Sequence, residues 1–330
     1  MKKTGIFLIG VILVLAFVYF YTENTSQEKT LYLMDTVINL KIKGNKNDMN
    51  ALCDILEKYD LKLNAHNQNS EIYKINHGKK EMEPDVEEIL LKGYELCELT
   101  DGAFDYTVKP LTDLWGISDG NTTVPQKEEI AKTLLKTGYD KVSFDVNNIN
   151  LSDAEIDLGG IAKGFVTQKL IDEIKNRNIK RAIIDLGGNI YVYDAKKDVK
   201  VGIQKPFSQR GEVLLSLDVN DASVISSGTY ERYFEYGGKI YHHIFDPETG
   251  YPADNGTDSV TVIGSPLKGD ALSTALFVMD IEKATNLYRS ENDFEFITVK
   301  GKKIYATEGI FDKITLSDKD YELIKIKKQN

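Results

Sequence analysis

The sequence predicts an α+β fold: a single compact domain of mixed sheets with flanking helices, preceded by one N-terminal transmembrane helix. Three observations carry this. Beyond residue 155 strand-like segments dominate, and the helical ones interrupt them without the regular βαβ alternation of a doubly wound sheet. No low-complexity linker follows residue 30, so the remainder reads as one unit. The chain also opens with Met1-Lys-Lys and then runs without charge from Gly5 to Tyr21, which is long enough as a helix to span a bilayer core.

The opening segment admits three readings. A cleaved signal peptide needs a shorter apolar run ending in small residues, whereas this one ends in Val18-Tyr-Phe-Tyr21. A lipoprotein signal needs a cysteine just after the run, and the first is Cys53. An uncleaved anchor over residues 1–22 fits best. Lys2 and Lys3 then stay cytoplasmic and the rest of the chain lies on the extracytoplasmic face of the cell membrane. Residues 23–30 are polar and read as a tether, and 31–330 as the folded domain.

Within that domain, Val37–Lys43 alternates like a strand. Met49, Leu52, Ile55, Leu56 and Tyr59 share a helical face. Pro84, a favoured first-turn residue, opens a second helix that Gly102 closes. A third helix covers 126–135, and a hairpin turns at Asn147-Asn148. Strands are expected at 155–158, 182–186, 190–193, 200–204, 212–219, 223–226 and 259–263, helices near 161–176 and 268–288, and a last hairpin turning at Gly301. Ile156-Asp-Leu-Gly-Gly160 recurs as Ile184-Asp-Leu-Gly-Gly188, either a duplicated core or the same turn chemistry used twice.

The formal net charge is −10. Such a chain repels polyphosphate backbones, which argues against a nucleic-acid partner. It also needs a metal ion or local donors to hold any small anionic ligand. The two cysteines, Cys53 and Cys97, fall on amphipathic patterns and read as buried thiols, with a disulfide the alternative in an oxidising compartment. They support neither a thiolate metal cage nor a nucleophile.

Four segments bear chemistry. In Asp157-Leu-Gly-Gly-Ile-Ala-Lys-Gly164 two glycines turn the chain into a helix, whose free N–H groups, with Lys163, suit a phosphate. The order of glycines is neither that of a Walker loop nor that of a dinucleotide fingerprint. In Asp270-Ala-Leu-Ser-Thr274 the helical spacing puts Asp270, Ser273 and Thr274 near one face, an oxygen-only set suited to Mg²⁺. His242 and His243 would point to opposite faces of a strand, so one of them could act as a base while the other is structural. Gly102–Gly116 carries the only Trp and a rigid run around Asp105, read as either a ring-binding loop or core packing.

In this order the segments resemble the ApbE-type FAD:protein FMN transferase family. The matching stretches run from Met34-Asp-Thr36 through Asn69–Ile72, Gly102–Asp105, Asp157–Gly164, Asp185–Asn189, Val201–Gln204, Ser226–Arg232 and His242–Ile244 to Asp270–Thr274. The resemblance implies a flavin-transferase fold that binds FAD in a cleft, with Mg²⁺ at its pyrophosphate. Asp270, Ser273 and Thr274 would line the metal site and Gly160 would supply a backbone carbonyl. Met34, Ala103, Phe104, Asp105, Asp157, Lys163 and Ile244 would contact FAD, and His243 would be the catalytic residue near the transferred group. The partner implied is an extracytoplasmic redox protein or membrane electron-transfer subunit with a Ser/Thr flavinylation motif. Two positions depart from the family: Asp35 stands where glycine is usual, and His66 where a tyrosine commonly stacks on the flavin. Two other readings use the same site, an FAD pyrophosphatase with water as acceptor and a non-enzymatic FAD-binding protein.

Overall fold

The computed structural model describes residues 26–209, 211–291 and 293–328. Strands β1 (Ser26–Leu33) and β2 (Thr36–Lys43) lead into helices α1 (Lys46–Leu63), α2 (Glu71–Asn76), α3 (Pro84–Leu99), α4 (Lys109–Trp115) and α5 (Lys127–Leu134). A small hairpin, β3 (Ser143–Asp145) with β4 (Asn148–Asn150), precedes helix α6 (Ala162–Asn176). Then come β5 (Arg181–Asp185), β6 (Asn189–Asp194), β7 (Val199–Gln204), β8 (Val213–Val219), β9 (Ala222–Gly228), β10 (Tyr233–Tyr236), β11 (Lys239–His242) and β12 (Ser259–Gly264). Helices α7 (Pro266–Val278) and α8 (Ile281–Ser290), strands β13 (Phe294–Lys300) and β14 (Lys303–Thr307), helix α9 (Glu308–Phe311), and strands β15 (Ile314–Leu316) and β16 (Glu322–Ile326) complete it.

One sheet organises the described residues, in the order β1-β2-β5-β6-β9-β12-β13-β14-β16. Its pairings are antiparallel except β14 with β16. Successive residues face opposite sides of a strand, and here each side has its own core. Tyr191 and Val262 face helices, whereas their neighbours Val192 and Ile263 face the small sheet β15-β8-β7. The result is three layers: helices, large sheet, small sheet. Helix α7 lies inside the helical layer and is buried nearly all round, from Gly269 to Phe277, which is why its sequence lacks an amphipathic stripe.

Several expectations change. The segment read as a tether is already strand from Ser26 onward, paired in register with β2; cross-strand pairing orders a polar segment that has no burial of its own. Residues 155–158 are not a strand. Their alternating burial comes from loop anchoring: Asn76 brackets Ile156 through both amide atoms, at 2.9 and 2.8 Å. The helix expected over 268–288 is two helices, because Met279 is extended and Asp280 caps the second by accepting from Lys283 N at 2.8 Å. The repeated Asp-Leu-Gly-Gly uses one turn chemistry in two settings, with Asp157 and Asp185 each accepting from a following glycine N–H. Only the second joins two strands. Cys53 and Cys97 are free and buried.

Residues 1–22 lie outside the described residues. Among those described, no helix is long and apolar enough to cross a membrane.

Candidate active site

A cavity of about 1090 Å³ opens between the helical layer and the loops at one end of the large sheet. That is the upper end of small-ligand sites and ample for a dinucleotide. Its base is formed where α6 and α7 meet. Gly164 permits the approach, since a Cβ there would overlap the Pro266 carbonyl oxygen and come within 2.7 Å of Asp270 Cβ. The Gly164 N–H donates to Asp270 Oδ2 at 2.7 Å. Beside it, a Cβ on Gly160 would lie 3.3 Å from Thr274 Oγ1 and 3.1 Å from the Phe104 ring. The glycine turn and the acidic helix therefore meet.

Asp270 is only 5% exposed. Burial pushes its carboxyl upward from the usual range, opposed by the Lys163 ammonium, the Gly164 N–H and the nearby Asn189 amide. The Asn189 nitrogen is itself buried and completes no hydrogen bond. Lys163 Nζ reaches the Gly187 carbonyl at 3.4 Å.

Position i+4 on a helix lies closer to the face of residue i than position i+3 does. Thr274 accordingly joins Asp270 at the cavity, whereas Ser273 does not line it. The Ser273 hydroxyl bonds Ser227 Oγ and the Asp270 carbonyl, both at 2.8 Å. This corrects its assignment as a metal ligand. The row of free N–H donors expected in the glycine turn is shortened. Gly159 N donates to Asp157 Oδ1, and Ile161 N and Ala162 N donate to the Leu158 carbonyl. What the turn gives a ligand is a low profile, the Gly160 N–H and Lys163.

The two histidines separate, His242 at the end of β11 and His243 just beyond it. His242 Nδ1 accepts from Ile244 N at 3.2 Å, so Nε2 carries the proton toward the Ala253 carbonyl at 2.9 Å; it is structural. His243 lines the cavity. Its Nδ1 lies 3.3 Å from the Arg232 carbonyl, the partner that makes Nδ1 the protonated nitrogen and leaves Nε2 an acceptor. The ring keeps part of its surface toward the cavity but is set deep in the protein. Burial first, then the positive charge of Arg232, pushes its pKa down to about 3.

The β1–β2 turn forms one wall. Met34 and Asp35 both adopt left-handed backbone, φ 53° and 55°, which explains the usual glycine at the second position. The turn is pinned from both sides: Asp60 Oδ1 accepts from Met34 N at 2.6 Å, and Arg232 donates to the Asp35 carbonyl at 3.1 Å. Ala103, Phe104 and Asp105 border the cavity, but the Asp105 oxygens are taken by Thr107 and the Tyr139 N–H. Asp105 thus shapes its loop rather than offering a free acceptor. Trp115 is fully buried against Tyr241, Phe245 and Tyr251, so core packing describes the Trp115 end of that segment while its Ala103–Asp105 end borders the cavity. His66, Asp157 and Ile244 line the cavity as well.

Sequence reading missed Asp60, Arg232 and Asn189 as site residues. The last two stand inside quoted motifs, Ser226–Arg232 and Asp185–Asn189, and could have been weighed. Asp60 had a signal of its own, an acidic residue on the apolar face of α1, four positions after Leu56 and three before Leu63.

The base fits a hard divalent cation. Among the described residues no group of three His, Cys, Asp or Glu could hold a metal. The donors that do converge are one buried carboxylate, one hydroxyl and a glycine backbone, the set Mg²⁺ accepts when a substrate supplies further oxygens. A buried carboxylate with one oxygen on an N–H is also a site where a cation offsets desolvation.

The chain is similar to known proteins. The ApbE family pattern matches residues 34–298. A protein of Klebsiella pneumoniae (strain 342) named FAD:protein FMN transferase is 31% identical over 314 residues, spanning 92% of this chain and 98% of that protein. One of the same name from Treponema pallidum (strain Nichols) is 29% identical over 82% of each. The crystal structure of the ApbE protein from Thermotoga maritima aligns with a TM-score of 0.77 at 30% identity, covering 89% of this chain and 97% of that one. The apo form of Pseudomonas stutzeri flavinyl transferase ApbE gives 0.73 at 26%, covering 86% and 94%. These relatives put the chain among the transferases. It belongs to the ApbE family.

Proposed function

We propose that this chain is an Mg²⁺-dependent FAD:protein FMN transferase. It moves FMN from FAD onto a Ser or Thr hydroxyl of an extracytoplasmic acceptor protein, forming a phosphoester and releasing AMP. The observation that carries the reading is the meeting of Asp270, Thr274 and the Gly160 turn at the base of a dinucleotide-sized cavity. The names of the relatives supply the reaction. The apolar run 5–21 behind Lys2 and Lys3 supports a single-pass anchor with the catalytic domain outside.

FAD enters the cavity with its pyrophosphate toward Lys163, whose ammonium attracts the phosphate oxygens in an otherwise acidic protein. Met34, Ala103, Phe104 and Ile244 supply apolar walls, and His66 offers a ring for the flavin to lie against. Asp270, Thr274 and the Gly160 carbonyl would hold Mg²⁺, which when bound would supply positive charge against the pyrophosphate. The acceptor hydroxyl attacks the FMN phosphorus while His243 Nε2 takes its proton. A new O–P bond forms, the bridging P–O bond breaks, and AMP leaves with that oxygen. His243 is neutral at ordinary pH, so its lone pair is free, while the burial and Arg232 charge that keep it neutral also weaken it as a base.

The test is mass spectrometry of purified candidate acceptors after incubation with enzyme, FAD and Mg²⁺. A covalent FMN adduct on a Ser or Thr is expected. Release of FMN and AMP with the acceptors unmodified would establish a pyrophosphatase instead. FAD recovered bound and intact would establish a binding protein.

A further inference from the structure

Four of the ten large hydrophobic side chains that stay exposed among the described residues line this one cavity. They are Tyr32, Val37, Phe207 and Tyr233, between 38% and 72% exposed. They form one strip. Tyr32 and Val37 are cross-strand partners at the end of the β1–β2 hairpin. Phe207 packs edge-on against Tyr230 and Tyr233, with ring centroids 6.1 and 6.3 Å away. Arg232, next to Tyr233, joins the halves by donating to the Asp35 carbonyl at 3.1 Å, within the turn that links β1 to β2.

Phe207 also has left-handed backbone, φ 56°. A bulky residue rarely adopts that conformation, and its presence marks a position held by its surroundings. Those surroundings are built: Lys205 pairs with Glu212 and Asp318, and Ser208 Oγ donates to the Lys205 carbonyl at 2.7 Å. The loop thus holds a strained backbone and leaves an aromatic ring half in water, beside other exposed rings. A clustered apolar rim of this kind marks a contact surface.

The reaction proposed above needs a polypeptide as its second substrate, and the hydroxyl of that polypeptide can reach the base only by crossing the mouth. We propose that the Tyr32–Val37–Tyr233–Phe207 strip is the docking rim for the acceptor protein, gripping apolar residues that flank the acceptor Ser or Thr. This rests on the transferase reading. Rigid rings suit the task, because they bury large area with few rotors to immobilise.

The test uses Phe207→Ala, Tyr233→Ala and the double variant, with an acceptor domain that the wild-type chain labels. Each single change should raise the KM for the acceptor about tenfold. The kcat, the FAD dissociation constant read by flavin fluorescence, and the melting temperature should stay at wild-type values. An unchanged acceptor KM, beside normal wild-type labelling, overturns the rim alone. A rise in the FAD dissociation constant with the acceptor KM intact also overturns it, by assigning the strip to the adenosine half. If the wild-type chain labels no protein, the transferase reading and the rim fall together.

Discussion

Replacing Asp270 by Asn keeps the shape of the side chain and an oxygen for the Gly164 N–H, now 2.7 Å from Oδ2. It removes the charge. In metal-free protein the effect on stability should be small: a charge-assisted hydrogen bond weakens by about 1 kcal/mol, while the cost of burying an ion disappears. With metal the two proteins should part. Mg²⁺ at a hundred times its dissociation constant stabilises a binding chain by about 2.7 kcal/mol. For a domain of this size that is a rise of roughly 5 °C in Tm. The assay is a thermal melt with Mg²⁺ or with chelator, without flavin, so turnover plays no part. Wild type should gain the shift and Asp270→Asn should not. Equal shifts in both proteins would refute the assignment of Asp270 as the cation's carboxylate.

Other substitutions probe the remaining walls. His243→Ala should lower FMN transfer by about 10²–10⁴-fold while FAD still binds, which single-turnover labelling and a flavin titration separate. His243 also leaves a mark on stability. The folded chain keeps it neutral to about pH 3, whereas the unfolded chain takes the proton near 6.5. The unfolded state therefore binds more protons between those values, and stability falls as pH drops from about 6.5 toward 3; urea titrations should show a shallower fall in His243→Gln. Gly187→Ala sets a Cβ against Thr36 at φ 67°, so equilibrium unfolding should register a loss above about 2 kcal/mol. Asp35→Gly, relieving φ 55°, should instead stabilise by roughly 0.5 kcal/mol, and a lowered denaturation midpoint would contradict the strain argument.

Much of the sheet was legible because its strands carry their faces in their sequence. β2, β6 and β12 alternate or run apolar over lengths that only strands use, and each appears within a residue or two of its expected place. What misled was burial without pairing. Ile156 and Leu158 are buried alternately because Asn76 pins the loop, a contact eighty positions away that no local pattern encodes. The break at Met279 had a local signal, Asp280 as a cap, overshadowed by the apolar residues on either side. At the site, motif order located the cavity lining, and helical spacing already set Thr274 nearer than Ser273 to the face of Asp270. Ser273 turns to Ser227 on β9.

The contact of α6 with α7 at Gly164 has a consequence for how such a protein can diversify. The catalytic floor sits at a backbone-to-backbone junction inside the core, with the stiffness of packed helices and no slack for substitution. The surrounding walls are loops and a hairpin tip, attached at their ends and free to vary in sequence. Choice of client could therefore drift from one relative to the next while the chemistry beneath stays in register.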